Sequence, residues 1–456
     1  MSDTFQSINP ATGEVLETFP ATTRAEVEQA LSRAEAASHD WRRQRPEDRA
    51  TPLRTAARLL RERAPGYART MALEMGKPLA QGKAEADKCA WACDYYAEHG
   101  PAFLVPEARA TEAARSYVRF DPLGPIVAIM PWNFPFWQVL RFAAPALMAG
   151  NVAILKHAPG VPRSALDLVA LFRDAGFPDG VFQSIFVDPV AVARVIADPR
   201  VRGVTLTGSP RAGAKVAEQA GRYLKKTVLE LGGSDPFIVL EDADLAAAAR
   251  AACTARLVNS GQSCIAAKRF IVVESVANAF IERFGAELQK AKVGDPLAPD
   301  TQVGPLARLD LRTTLHRQVE ESVIRGAQLV VGGQVPEGPG AFYPPTILTA
   351  VSPGMPAFDE ETFGPVAAVI RARDESEALR LANASAYGLG GSVWTGDRER
   401  AERLAGELEV GCVFVNEVVK SDPRLPFGGV KWSGYGRELS EHGLREFVNV
   451  KSVWIA

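Results

Sequence analysis

The chain has 456 residues, 47% hydrophobic and 23% charged, with 52 Lys plus Arg set against 54 Asp plus Glu. That is an ordinary globular composition with material for a large core, and the length suits roughly three domains. A net charge of −2 with no basic stripe argues against nucleic acid or an acidic membrane surface as partner. The N-terminal stretch 1–5 carries acid and lacks an apolar core, unlike a signal peptide. The longest apolar run, 125–140, is interrupted by Pro131, Asn133 and Pro135 and is too short to span a bilayer. An odd count of five cysteines and no export signal predict a reduced, cytoplasmic protein.

Residues 24–100 read as helical, with Leu31, Ala34 and Ala37 on one apolar stripe and the pattern resuming from Leu59 to Met75 after Pro52. Cys89 and Cys93 stand four apart there without a second pair or a histidine cluster. They read as buried small hydrophobes, and no metal site is expected. The segment 114–121 alternates in character and follows a polar stretch, which predicts a strand leaving its own domain to pair with 448–455. Alternation that serves no local sheet points to a subunit contact. From residue 125 the texture changes to short apolar runs (126–130, 152–155, 204–206) separated by helical segments 137–149, 163–175 and 211–220. This is the mark of a doubly wound α/β sheet. Runs at 270–273, 329–331, 366–370 and 413–415 predict a second α/β unit, with the joint near Gly232 and Gly233.

Three positions carry chemistry. Cys264 ends the polar turn Asn259-Ser260-Gly261-Gln262-Ser263, where a base or backbone dipoles can activate a thiol. Glu230 ends the run 226–229 before a Gly-Gly pair, at a strand end where a ligand can approach, and suits a general base for water. Asn133 lies in a turn bracketed by Pro131 and Pro135, and its amide can donate to an oxyanion formed by Cys264 attack. A core cysteine, a salt-bridged glutamate and a turn asparagine are the plain alternatives; together the three offer nucleophile, base and donor. Lys156 and the turn Gly208-Ser209 close two strands where an open α/β sheet binds nucleotides, although no G-x-G-x-x-G fingerprint is present.

These motifs, in this order, resemble the aldehyde dehydrogenase superfamily over nearly the whole chain, from Ile8-Asn9-Pro10 through Glu360-Glu361-Thr362-Phe363-Gly364-Pro365 to Pro426-Phe427-Gly428-Gly429. The texture is most similar to the short succinate-semialdehyde dehydrogenases. The resemblance implies a doubly wound cofactor domain (1–104 and 123–232), an α/β catalytic domain (233–436) and a bridging β-arm for oligomerisation (105–122 and 437–456), assembled as a homodimer or homotetramer. It implies Cys264 as nucleophile, Glu230 as base, and Asn133 with the Cys264 N–H as oxyanion hole. Trp132, Lys156, Gly208, Ser209, Leu231, Glu361 and Phe363 would serve the cofactor, NAD or NADP.

Substrate choice turns on Trp137, Arg141 and Ser421. Trp137 and Arg141 share a helix face toward the family's substrate tunnel, and Ser421 falls in its lining loop. Arg141 has two readings: it holds a substrate carboxylate, or it sits in a structural salt bridge. The first implies succinate semialdehyde or a similar ω-carboxy aldehyde, the second a broad-range aliphatic or aromatic aldehyde dehydrogenase. Arg256 is a weaker candidate for the same anion. Pro159 stands where NAD-preferring members often carry a glutamate, so repulsion of a 2′-phosphate is lost and dual cofactor use is expected.

Overall fold

The computed structural model describes residues 4–456. Helices Arg24–Trp41, Pro46–Glu62, Ala64–Met75 and Leu79–Phe103 fill the region expected to be helical. The first begins on a capping box, in which Thr23 Oγ1 accepts from the Glu26 N–H and the Glu26 carboxylate accepts from the Thr23 N–H. Pro52 is accommodated inside the second helix.

A six-stranded sheet follows, in the spatial order Gly434–Tyr435, Lys226–Glu230, Gly203–Thr207, Pro125–Ile129, Val152–Lys156, Phe182–Ser184. The five longer-established strands are parallel, and the order reverses beside Pro125–Ile129. This is the doubly wound arrangement, whose switch point leaves a crevice at the carboxyl ends of the strands. The strand Gly434–Tyr435 is added antiparallel from far along the chain, with Gly434 opposite Glu230 and Tyr435 opposite Leu229. The same C-terminal stretch is fastened further back: Asn151 Nδ2 donates to the Phe447 carbonyl at 3.0 Å.

The second sheet has seven strands in the order Gln328–Val331, Thr346–Thr349, Val366–Ala372, Arg269–Val273, Pro236–Val239, Gly390–Trp394, Cys412–Val415. Three of these, Pro236–Val239, Thr346–Thr349 and Gly390–Trp394, are additional to the runs read from the sequence. All their residues are buried. Core side chains divide accordingly, with one cluster beneath the first sheet and helices, and two on the faces of the second. Cys89 and Cys93 lie buried in the first cluster.

The third sheet is the arm. Val448–Ile455 pairs antiparallel with Arg115–Pro122 from Val448 opposite Pro122 to Ile455 opposite Arg115, and Glu107–Ala108 adds a short third strand. Among the described residues, no helix is long and apolar enough to cross a membrane.

Candidate active site

The site forms where carboxyl ends of the first sheet meet the amino end of the second. The turn after Pro125–Ile129 carries Asn133, and its course is set by two buried groups from elsewhere. Glu85 Oε1 accepts the N–H groups of Phe136 and Trp137, both at 2.9 Å, where the helix Trp137–Met148 begins. A carboxylate there satisfies orphan donors and complements the helix dipole. Lys77, itself buried, neutralises Glu85 in an ion pair. From the other side His157 Nε2 bonds the Pro135 carbonyl at 2.9 Å. Burial pushes the imidazole down to about 4, so it is neutral and donates from this nitrogen.

Asn133 then reaches across to the nucleophile loop. Its Nδ2 donates to the Gln262 carbonyl at 3.0 Å, while Asn259 Nδ2 donates to the Asn133 carbonyl at 2.6 Å. One N–H of the Asn133 amide remains for a ligand. The loop is tightly wound: Asn259, Ser260 and Gly261 all have left-handed φ, of 53°, 55° and 77°. Each non-glycine residue so held costs roughly 1–3 kcal/mol and persists only when its surroundings enforce it. Here Ser260 Oγ accepts from the Gly304 N–H, Gln262 Oε1 accepts from the Ala307 N–H, and Arg256 Nη2 donates to the Gly261 carbonyl at 2.8 Å. Lys268 Nζ gathers the carbonyls of Ser263, Cys264 and Ala266. Among the described residues no protein group accepts from the Cys264 N–H. Desolvation pushes the Cys264 thiol up to about 12, so it rests protonated and needs a base.

Glu230 supplies a carboxyl at the end of Lys226–Glu230, 1% exposed, with neither oxygen hydrogen-bonded. Burial drives it up to about 8, opposed by the Arg141 guanidinium 3.7 Å away. A carboxyl poised near neutrality is tuned for proton transfer. Its neighbour at the strand end, Gly428, has φ of 156° and would place a Cβ 2.9 Å from Glu230 Oε1.

The remaining strand ends make a second face. Lys156 is mostly buried with no carboxylate in ion-pair range among the described residues. Ser209 caps the helix Pro210–Arg222, accepting from the Ala212 N–H at 3.3 Å. A Cβ on Gly208 would meet nothing nearer than Leu206 at 3.6 Å, and Gly213 lets that helix settle on Leu231. An unpaired cation beside an open glycine turn and a helix N-terminus fits the phosphates and ribose of a dinucleotide. Trp132 and Phe363 wall this face edge-to-face with centroids 5.8 Å apart, and Glu361 Oε1 accepts from the Gly233 N–H at 2.9 Å.

Cys264 is also reached by a cavity of about 810 Å³ lined by Phe134, Trp137, Arg141, Ser421 and Phe427, among others. Thus a thiol, a buried carboxyl and an amide lie between a dinucleotide-type cradle and an aromatic-lined cavity.

Known proteins carry the same frame. The aldehyde dehydrogenase family model matches residues 1–453. The chain belongs to the aldehyde dehydrogenase family. A succinate semialdehyde dehydrogenase [NAD(P)+] of Escherichia coli is 50% identical over 448 residues, 98% of this chain and 97% of that protein. The succinate-semialdehyde dehydrogenase [NADP(+)] 1 of Mycobacterium tuberculosis is 51% identical, covering 99% of both chains. The crystal structure of succinic semialdehyde dehydrogenase from Streptococcus pyogenes in complex with NADP+ superimposes with a TM-score of 0.97 at 40% identity, again over 99% of each chain.

The two arginines of this aldehyde dehydrogenase that are candidate anion ligands are both buried. Arg141 is 1% exposed and forms an ion pair through Nε with buried Glu438, with Glu230 close by and the Phe427 ring 4.7 Å from its guanidinium carbon. Glu438, from the returning C-terminal segment, supplies an anion of the kind the salt-bridge reading expects, while Arg141 also lines the cavity. Arg256 is fully buried and donates through its two Nη atoms to the Val366 and Gly261 carbonyls, so it braces the loop before Cys264 and is not among the residues lining the cavity. Glu85, Lys77 and Glu438 carry no local motif. Only Glu85 has a sequence signal, its polar spacing: Gln81, Glu85 and Lys88 repeat every three or four residues and share a helix face.

Proposed function

We propose that this aldehyde dehydrogenase oxidises succinate semialdehyde, or a similar short ω-carboxy aldehyde, to the carboxylic acid with NAD or NADP as acceptor. The observation that carries the reading is the convergence of Cys264, Glu230 and Asn133 at the end of a cavity bearing the hydroxyl of Ser421 among aromatic walls. Identity of about half to relatives named for that substrate supports it.

Glu230 accepts the proton of the Cys264 thiol, and the sulfur adds to the aldehyde carbon. The free N–H of Asn133 and the N–H of Cys264 hold the oxygen as it becomes anionic. A bound nicotinamide would supply the acceptor for the hydride lost from this carbon, leaving the acyl group on Cys264 as a thioester. Glu230, its proton passed on, then takes a proton from water as the water oxygen attacks the thioester carbon. The C–S bond breaks, the acid departs, and the thiol is restored. Arg141 and Glu438 act here by holding the charge around Glu230, and Trp137 and Ser421 line the substrate's path. Lys156, Gly208, Ser209 and Leu231 would hold the dinucleotide's adenosine and phosphate portion; Trp132, Glu361 and Phe363 would hold the nicotinamide end. Pro159 is exposed and uncharged beside Lys156, so neither cofactor is repelled, in keeping with relatives named for NADP and for NAD(P).

The cofactor role belongs to 1–104 and 123–232, the catalytic role to 233–436, and assembly to the arm 105–122 and 437–456. The outer strand Val448–Ile455 exposes Val450 and Trp454, which supports a homodimer or homotetramer built on this edge. Free cysteines throughout suit a reducing, cytoplasmic setting.

A broader aliphatic or aromatic substrate range is favoured by one observation, the aromatic lining of Phe134, Trp137 and Phe427. Initial rates on succinate semialdehyde and on butyraldehyde, each with NAD and with NADP, separate the two readings. Preference for the carboxylated aldehyde is expected; equal rates would establish the broader range. Cys264→Ser should lower turnover by at least ~10³-fold while still quenching its tryptophan fluorescence on binding NADP. Residual turnover near wild type would remove the covalent mechanism.

A further inference from the structure

Lys268 stands at the foot of the strand Arg269–Val273, the middle member of the second sheet. Its backbone is fastened on both sides: its N–H donates to the Asp235 carbonyl at 3.1 Å, and its carbonyl accepts from the Ala368 N–H at 3.0 Å. The side chain, only 1% exposed, turns back beneath the nucleophile turn. There Nζ donates to the carbonyls of Ser263 at 3.1 Å, Cys264 at 2.8 Å and Ala266 at 3.1 Å. A neutral amine has two N–H groups and an ammonium has three, so the three acceptors match the charged form. Burial pushes the ammonium down, opposed first by Glu361, 3.9 Å away, and then by Asp235.

The direction of those carbonyls sets the direction of an N–H. The Ala266 N–H also donates to the Ser263 carbonyl, at 3.2 Å, closing a turn with Cys264 at its first corner. The peptide bonds of the described residues are trans, and a trans peptide points its N–H opposite to its C=O. The Ser263 carbonyl faces Lys268, so the Cys264 N–H of the same peptide faces away from it. Two donors on one carbonyl draw charge along the peptide and strengthen its N–H as a donor. The Cys264 carbonyl lies against Gly233, where a Cβ would come within 2.6 Å of it, so the turn is held from below as well. The charged groups facing the thiol are Arg141, Glu230, Lys268 and Glu361; the two cations oppose the effect of burial, Arg141 before Lys268.

We propose that Lys268 is a positioning residue for the nucleophile, its ammonium aiming and polarising the Ser263–Cys264 peptide so that the Cys264 N–H holds the oxyanion. The same positive charge favours the thiolate that attacks the aldehyde. This deepens the covalent reading above and rests on it. Lys268 spends its three donors on protein carbonyls, so it acts through Cys264 and not on the substrate.

The test alkylates Cys264 with iodoacetamide as a function of pH, without cofactor, in wild type, Lys268→Gln and Lys268→Met, with the modified peptide read by mass spectrometry. The pre-steady-state burst of NADPH from succinate semialdehyde, NADP affinity from fluorescence quenching and melting temperatures are taken alongside. Lys268→Gln removes the charge but keeps an amide that can donate to two of the carbonyls, so it reports if Lys268→Met folds poorly. In both variants the alkylation curve should move to higher pH by roughly one unit, as when a unit charge is removed beside a buried thiol. The burst should slow by about 10-fold, a part of the ~10²–10³-fold lost with a whole oxyanion donor. NADP affinity should change little. A role in packing alone would lower the melting temperature and leave the alkylation midpoint in place; that result in a folded variant overturns the assignment of Lys268. Wild type that keeps its turnover after full alkylation of Cys264 would instead overturn the covalent reading itself.

Discussion

Glu230 and Cys264 are set for proton transfer by the same physical cause acting twice. Burial raises the carboxyl to about 8 and the thiol to about 12, so at neutral pH both rest protonated. A base works only when ionised, and a carboxyl with a raised value loses its proton as pH rises through that value. Turnover should therefore climb through about pH 8 and fall away on the acid side. Glu230→Gln should flatten this limb in a pH–rate profile and slow the steady state by about 10²–10⁴-fold. Because Glu230 also serves hydrolysis, any reduced cofactor formed by that variant should appear as a burst with the thioester retained on Cys264. The identities of these residues are legible in the chain, since each sits in a polar or glycine-flanked turn that a plain core residue would not need. Glu438 was beyond such reading: it is an ordinary charged residue by its neighbours, and only tertiary packing brings it to Arg141.

Among the elements, the loop Asn259–Cys264 stores strain that its surroundings repay. Gly261 shows how closely: a Cβ there would lie 2.2 Å from the backbone carbon of Gly364. Neither partner is a flexible side-chain end, so the backbone itself must yield. Gly261→Ala should cost about 1–3 kcal/mol or more by overpacking, read as a lowered melting temperature. It should also reduce kcat more than cofactor affinity, because it displaces the thiol and the 360–365 segment together. An unchanged melting temperature would show that the contact relaxes freely. The alternation of strands and helices in 125–222 was readable because buried parallel strands leave continuous apolar runs. The strands Pro236–Val239, Thr346–Thr349 and Gly390–Trp394 escaped notice for a physical reason. They are short and open on proline or glycine or, at Thr346, directly follow proline; such residues elsewhere mark turns, yet here Gly390 packs against Asp235 and Val419.

At the scale of the whole molecule, the arm makes a prediction of its own. Val450 and Trp454 are 61% and 58% exposed on the outer strand, and their spacing puts them on one face. Burial of such side chains contributes roughly 1.5–3 kcal/mol each. Replacing both with lysine should weaken self-association by about 10-fold or more per site, seen as smaller species in sedimentation velocity. The melting temperature of the dissociated chain should change little, since neither side chain supports its own fold. Unaltered sedimentation would show that this edge makes no subunit contact. The pairing of 114–121 with 448–455 was legible from alternation alone, whereas the insertion of Gly434–Tyr435 beside Glu230 was not, because two residues carry no periodicity.

That insertion orders events in time. The thiol, the amide and the carboxyl are all synthesised by the time Cys264 leaves the ribosome, but the enclosure around Glu230 is not. Gly434 must pair with Glu230, and Glu438 must meet Arg141, before the base sits in its final surroundings. The wall bearing Ser421 arrives almost as late. A growing chain that has not yet reached Gly434 and Glu438 therefore carries the cysteine without the enclosure of the buried carboxyl.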